Sequence, residues 1–316
     1  MLLASEASHS QVLYKDNLFA NTQKTTHTYI HKAEVPLKMD IYTPQPDTLK
    51  SKPVLLYIHG GGFAIGSRDH KSHLQFCKKF ASKGYLAATM DYTLHRKGKS
   101  FGCDCPSDVK VETFLKTARD ISRAVKYLLD NHKTLKIDTS RIVVAGSSAG
   151  AEAALHAVYW PKTRLDSTGI VLSSSFRYGG VISMAGAITE LRWIDGSTAT
   201  PTQLFHGTCD NLVPYATASH HYCDADSKGY LTLYGPAPIL EKLRNLGKGY
   251  YCVSGCFGQH EWNALPLKDY TEAITDFLYH DVIRREKRQI HSIIRTGKEP
   301  CPDYNAFPYC EDLNND

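Results

Sequence analysis

Six strand-length apolar runs punctuate the chain: PVLLYIH (53–59), YLAATMDY (85–92), RIVVAG (141–146), GVISMAGAI (180–188), TQLFHG (202–207) and YYCVSG (250–255). The runs are continuous rather than alternating, so the strands they form need apolar cover on both faces. Stretches of helical periodicity separate them. From residue 111 the apolar positions Phe114, Leu115, Ala118, Ile121, Val125, Leu128 and Leu129 recur every three or four residues and draw one stripe along a helix. Further helices are expected over 70–83, closed by Gly84, from about 148, over 236–246, and through Tyr270, Ala273, Ile274, Phe277 and Leu278. Strand, helix, strand in alternation predicts an α/β fold with a mainly parallel central sheet flanked by helices.

Earlier strand candidates at 26–31 and 37–42 extend the set, and no internal repeat or low-complexity linker divides the 316 residues. The simplest expectation is one domain over 1–316, with its core at about 35–285 and an irregular cysteine-containing tail at 289–316. Segments 95–108 and 161–180 read as loops or short elements at the rim where sites in such folds are built. About a dozen residues link the run ending at Ile188 to the one starting at Thr202, which leaves no room for a large lid.

No apolar run approaches the ~20 residues that span a bilayer, so the reading is a soluble chain without a membrane span. The net charge of +5 is mild, and the densest basic run, RREKR (284–288), closes an amphipathic segment where cations face water. Nucleic acid is therefore not an expected partner, and nothing in the chain signals an oligomeric state. Nine cysteines are an odd count, so at least one thiol is unpaired within the chain. Cys77, between Phe76 and Phe80, is the expected buried, inert thiol. Cys301 and Cys310 are close enough in the tail for a bridge worth roughly 2.5 to 3 kcal/mol in the chain-entropy model. Cys103 and Cys105 are also expected in disulfides. Such usage suits an oxidising compartment. MLLASEASHS, at the start, lacks the basic opening and long apolar run of a secretory leader. The expectation is an extracytoplasmic protein, periplasmic or secreted, with its leader absent from this sequence.

The chemistry concentrates in GSSAG (146–150), which follows a buried run and opens a helix. In a GxSxG turn the middle residue is the nucleophile, here Ser148, and the flanking glycines Gly146 and Gly150 remove side chains that would collide with neighbouring backbone. A serine hydroxyl needs a base, the base an orienting acid, and the developing oxyanion donors. HGGGF (59–63) offers unshielded amides at Gly61 and Gly62, with that of Ala149 beside the nucleophile. His59 then supports the loop. HGTCDNLVP (206–214) places Asp210 just past a strand, and GCFGQHEWN (255–263) places His260 in a loop after another. HHYCDAD (220–226) and the Cys103/Cys105 pair lack metal-ligand spacing, and acyl transfer by serine calls for no metal or cofactor.

The order Ser148, Asp210, His260, preceded by HGGG, resembles the α/β-hydrolase superfamily over roughly 35–285, and the HGGG motif resembles that of hormone-sensitive-lipase-like and other carboxylesterases. That group commonly has Asp where Ser147 stands and DYRLAPE where this chain has DYTLHRK. The cysteine-bearing loops and the tail EPCPDYNAFPYC resemble secreted bacterial esterases, some acting on plant cell-wall esters. The resemblance implies an α/β-hydrolase fold and a serine esterase acting through an acyl-enzyme on small-molecule or polymer-attached esters. A peptidase of the same superfamily and a non-catalytic binding protein are the alternatives.

Overall fold

The computed structural model describes residues 11–31, 35–166, 172–173, 175–297 and 307–311. Its strands are β1 (Asn21–Ile30), β2 (Leu37–Gln45), β3 (Lys52–Ile58), β4 (Leu86–Met90), β5 (Ile137–Ser147), β6 (Gly180–Met184), β7 (Thr202–Gly207), β8 (Thr217–Ser219), β9 (Thr232–Tyr234), β10 (Tyr250–Cys256) and β11 (Gln289–Arg295). Nine of them form one sheet in the order β1-β2-β4-β3-β5-β6-β7-β10-β11, and β8 pairs with β9 in a small hairpin. β1 and β2 run antiparallel to their neighbours, and every pairing from β4 to β11 is parallel.

Period-two geometry divides the central strands between two cores. Leu56, Ile58 and Val144 pack under the helix Ser107–Asp130 with Phe114, Ile121 and Leu128. Leu55, Tyr57 and Val143 face the opposite way, onto Phe76 and Phe80 of the helix Lys71–Ser82 and onto Ile274 and Phe277 of the helix Thr271–Phe277. This double cover explains why the runs read as continuous. Parallel strands also bring their C-terminal ends to one edge, so the loops after β3, β5, β7 and β10 meet there. Among the described residues no helix is long and apolar enough to cross a membrane.

Three expectations change. Residues 289–295, read as the start of an irregular tail, form β11, which pairs in parallel with β10 from Tyr250 opposite Gln289 to Cys256 opposite Arg295. Its burial is only partial, as befits an edge strand, and the basic run before it masks the pattern. Within that run Arg284, Arg285 and Lys287 are exposed as read, while Arg288 folds back onto Asp276 at 2.8 Å and onto the buried Asp281. The strand expected to reach Ile188 stops at Met184, where Ala185 turns with φ +59° and Ile188 bridges to Tyr234 of β9.

The cysteine pairing is the third. Cys310 bonds Cys256 at the end of β10, not Cys301, which lies outside the described residues. The tail packs against the sheet edge, where the Tyr309 ring meets His291 of β11, so spatial proximity overrides proximity in sequence. Cys103 pairs with Cys223 across 120 residues, while Cys105 stays a buried free thiol, as do Cys77 and Cys252. Burial pushes the Cys77 thiol far above its ordinary value, which keeps it unreactive. Closing a loop of 54 residues is worth about 4 kcal/mol in the chain-entropy model. Replacing Cys256 and Cys310 together by serine is therefore expected to lower the unfolding free energy by about that amount, measured by urea titration.

Candidate active site

β5 runs straight into Ser147, and Ser148 then takes φ +49° and ψ −123° before the helix Ala149–Tyr159 begins. A non-glycine residue at positive φ is strained, and it persists only where its surroundings over-determine it. The surroundings are close backbone. A Cβ on Gly146 would lie 2.2 Å from the Gly150 carbonyl oxygen, and one on Gly150 would lie 2.3 Å from that of Ile58. Small residues at both positions let β3, β5 and the helix approach, and the approach forces the turn. Ser148 N donates to Met184 O at 2.8 Å, which fixes the turn from the β6 side.

Ser148 Oγ lies 2.8 Å from His260 Nε2, and His260 Nδ1 lies 2.7 Å from Asp210 Oδ2. With Nδ1–H donating to the carboxylate, Nε2 carries a lone pair directed at the serine hydroxyl. Ser147 takes no part: its hydroxyl is buried against Tyr57 OH at 2.8 Å. His260 sits in the short turn His260–Asn263 after β10, where Gln259 N donates to Glu261 Oε1 at 2.9 Å. Glu261, an exposed carboxylate, thus braces the loop that carries His260.

Asp210 is 1% exposed and accepts four hydrogen bonds. Leu212 N and Val213 N donate to Oδ1 at 2.9 and 3.0 Å, and His206 Nε2 approaches Oδ2 at 3.1 Å beside His260. The His206 N–H is shared with Val213 O at 2.9 Å. Burial alone would raise the carboxyl pKa, yet the hydrogen bonds and charge of His206 and His260 outweigh it and hold the group well below its ordinary value. His206, near the end of β7, was not singled out from the sequence. Its spacing of four from Asp210 was the available signal.

On the other side, Gly61 adopts φ +112° and Gly62 φ +59°, and a Cβ on Gly61 would meet Ile65 O at 2.2 Å. The Gly61 carbonyl accepts from Ala64 N and Ile65 N at 3.0 and 3.1 Å, so the loop curls on itself. Among the described residues the amides of Gly61, Gly62 and Ala149 are given to no backbone acceptor. His59 is 1% exposed, bonds Gly60 O through Nδ1 at 2.7 Å and stacks on Tyr92 with ring centroids 4.3 Å apart. Tyr92 OH in turn donates to His59 O at 3.1 Å. Burial lowers the His59 pKa, so a neutral ring props the glycine loop. Glu152, one helical turn past Ser148, is buried within electrostatic reach of Asp210, and it was not singled out from the sequence although the i, i+4 spacing marks it.

A family model described as BD-FAE matches residues 39–196, half of the chain. Gut esterase 1 of Caenorhabditis elegans is 33% identical over 132 residues, which is 42% of this chain and 23% of that protein. The Caenorhabditis briggsae gut esterase 1 is 31% identical over 133 residues. This chain thus spans about a quarter of the length of these curated relatives, 23% of each. Among solved structures, apo Thermogutta terrifontis esterase 2 superposes with a TM-score of 0.58 at 20% identity, covering 82% of this chain and 92% of that one. The paraoxon-phosphorylated form of the same esterase gives 0.58 at 19% identity over the same shares. At that identity the likeness speaks for the fold. The chain belongs to the BD-FAE family, and its fold is that of the α/β-hydrolases.

Proposed function

We propose that this chain is a serine esterase that hydrolyses carboxylic esters through an acyl-enzyme, with Ser148 as nucleophile, His260 as general base and acid, and Asp210 as the orienting carboxylate. One observation carries the reading: a continuous hydrogen-bonded relay from Ser148 Oγ through His260 to Asp210, at 2.8 and 2.7 Å. His260 takes the serine proton as Oγ attacks the ester carbonyl, and the resulting imidazolium faces the buried Asp210 carboxylate. The amides of Gly61, Gly62 and Ala149 receive the oxyanion, each worth on the order of 3 kcal/mol where such donors have been removed. His260 then protonates the leaving alcohol, and water releases the acid by the same path in reverse.

The names of the relatives support the same activity, as do two solved forms of the Thermogutta esterase, whose descriptions give that protein bound butyrate and propionate. The link between β6 and β7, residues 185–201, is too brief for a large lid and favours an open cleft and hence small or polymer-attached esters, carbohydrate and cell-wall esters included. Exposed Ile65 on the glycine loop and Leu212 beside Asp210 offer apolar contact to a substituent at the mouth. The Cys103–Cys223 and Cys256–Cys310 disulfides support an oxidising, extracytoplasmic setting.

A fluorophosphonate probe and paired chromogenic substrates test the reading. Stoichiometric labelling with cleavage of p-nitrophenyl acetate and butyrate is the expected outcome. Labelling with cleavage of aminoacyl anilides alone would reassign the chain to peptidases, and no labelling would make it a binding protein.

A further inference from the structure

Side chains on a helix lean toward its N-terminus, so Glu152, four residues beyond Ser148 on the helix Ala149–Tyr159, directs its carboxyl back toward the catalytic end. It is 2% exposed, and Oε1 lies 3.5 Å from Nε2 of His220, itself 1% exposed. Glu152 Oε1 and His220 Nδ1 have no hydrogen-bond partner among the described residues, and the approach of Oε1 to His220 Nε2 is the polar contact that joins the two side chains. Buried polar groups left in that position are costly, and their retention calls for an explanation.

The path from His220 supplies one. The next residue, His221, donates its amide to Leu212 O at 2.9 Å. Leu212 N donates to Asp210 Oδ1 at 2.9 Å, and the other Asp210 oxygen holds His260 at 2.7 Å. The nucleophile's helix and the acid's loop are thereby joined outside the triad. The 220s turn is itself pinned from behind, by the Cys103–Cys223 disulfide, by His220 N donating to Leu231 O at 2.8 Å, and by the Phe101 ring 5.2 Å from the imidazole.

We propose that Glu152 and His220 are positioning residues, a clamp that fastens the Asp210 loop to the helix beginning at Ser148 and so keeps acid, base and nucleophile in register. The inference rests on the triad reading above. Both members favour their neutral forms. Burial, then the Asp210 charge, raises the Glu152 pKa well above the ordinary carboxylate range against the pull of Lys110. Burial, then His221 and Lys110, lowers that of His220, with His260 adding to the effect and Asp210 opposing it. The titratable groups facing the pair are thus Lys110 from the helix Ser107–Asp130, Asp210, His221 and His260. A neutral acid O–H offered to a neutral imidazole adds no net charge beside Asp210.

The test reads fluorophosphonate labelling rate together with kcat, KM and their pH profiles for an ester that the wild type cleaves. H220L and E152L are expected to slow labelling and kcat by about 10- to 100-fold, as a displaced catalytic group does, with KM within about 3-fold. The double variant should be no slower than the worse single one, because the two act as a unit. E152Q keeps size and hydrogen bonding, so it should stay within about 3-fold of wild type with the acid limb of kcat/KM unmoved. H220L lies on a turn and decides the matter should E152L fail to fold. H220L labelled at the wild-type rate, E152Q as slow as E152L, or an acid limb shifted to lower pH in E152Q overturns the clamp. A wild type that is not labelled overturns the triad reading instead.

Discussion

Ser148→Ala is expected to lower kcat by about 10⁴- to 10⁶-fold, to abolish fluorophosphonate labelling, and to leave the fold intact. Alanine keeps the Cβ that the turn already accommodates at φ +49°, and it removes one partly exposed hydroxyl whose partner, His260, remains held by Asp210. The thermal midpoint should therefore move by no more than a few degrees, the scale of about 1 kcal/mol in a domain of this size. Residual turnover above the uncatalysed rate is also expected, since the glycine-loop amides still meet the carbonyl oxygen. Ser148→Gly makes the strain itself measurable. Glycine carries no Cβ penalty at positive φ, so that variant should be as inactive as alanine and melt higher. An alanine variant with more than a tenth of wild-type activity would remove Ser148 from the mechanism.

Much of this arrangement is legible because it follows from topology. β5, β7 and β10 are parallel and adjacent through β6, so whatever follows their C-terminal ends shares one edge. Ser148, Asp210 and His260 each stand within four residues of such an end, which makes their meeting a consequence of strand order. The glycine loop is legible for a related reason: β3 lies beside β5, and three consecutive glycines after a buried strand leave no side chain to block an approach.

What escaped the sequence depends on partners remote in the chain. β11 is an edge strand, half-buried, and its apolar signal, Ile290, Ile293 and Ile294, is diluted by polar neighbours and by the preceding basic run. Cys310 reaches Cys256 only because the tail lies against β11, a docking that no local pattern encodes. His206 and Glu152 differ from these, since each lies four residues from a residue that was singled out. Their burial, and not their spacing, gives them weight. A lone histidine at a strand end is ordinary until a carboxylate, buried as it is, is found 3.1 Å from it.

Asp210→Asn is expected to cost about 10⁴-fold in kcat, the loss that follows when a base is held in the wrong tautomer. The carboxylate accepts on both oxygens: two backbone amides at Oδ1 and two imidazole N–H groups at Oδ2. Asparagine has one acceptor oxygen and one donor nitrogen. Its nitrogen cannot face the fixed amides of Leu212 and Val213 without setting donor against donor, so it turns to the histidines. His260 then meets the amide with a bare Nδ1, its proton moves to Nε2, and that N–H points at Ser148, where a lone pair is required. The same substitution has a signature in stability. The native carboxyl pKa lies below its ordinary value of 3.8, so in the acid range the unfolded chain binds more protons than the folded one. Its contribution is complete above the ordinary pKa and is lost as pH falls through the depressed one. The wild type should therefore lose stability on acidification from about pH 5 more steeply than Asp210→Asn, which has no proton to take up. Urea midpoints at pH 7 and at about pH 3, below the ordinary carboxyl pKa, read the difference, and equal losses for the two proteins would mean that the carboxylate is not held by the histidines in solution.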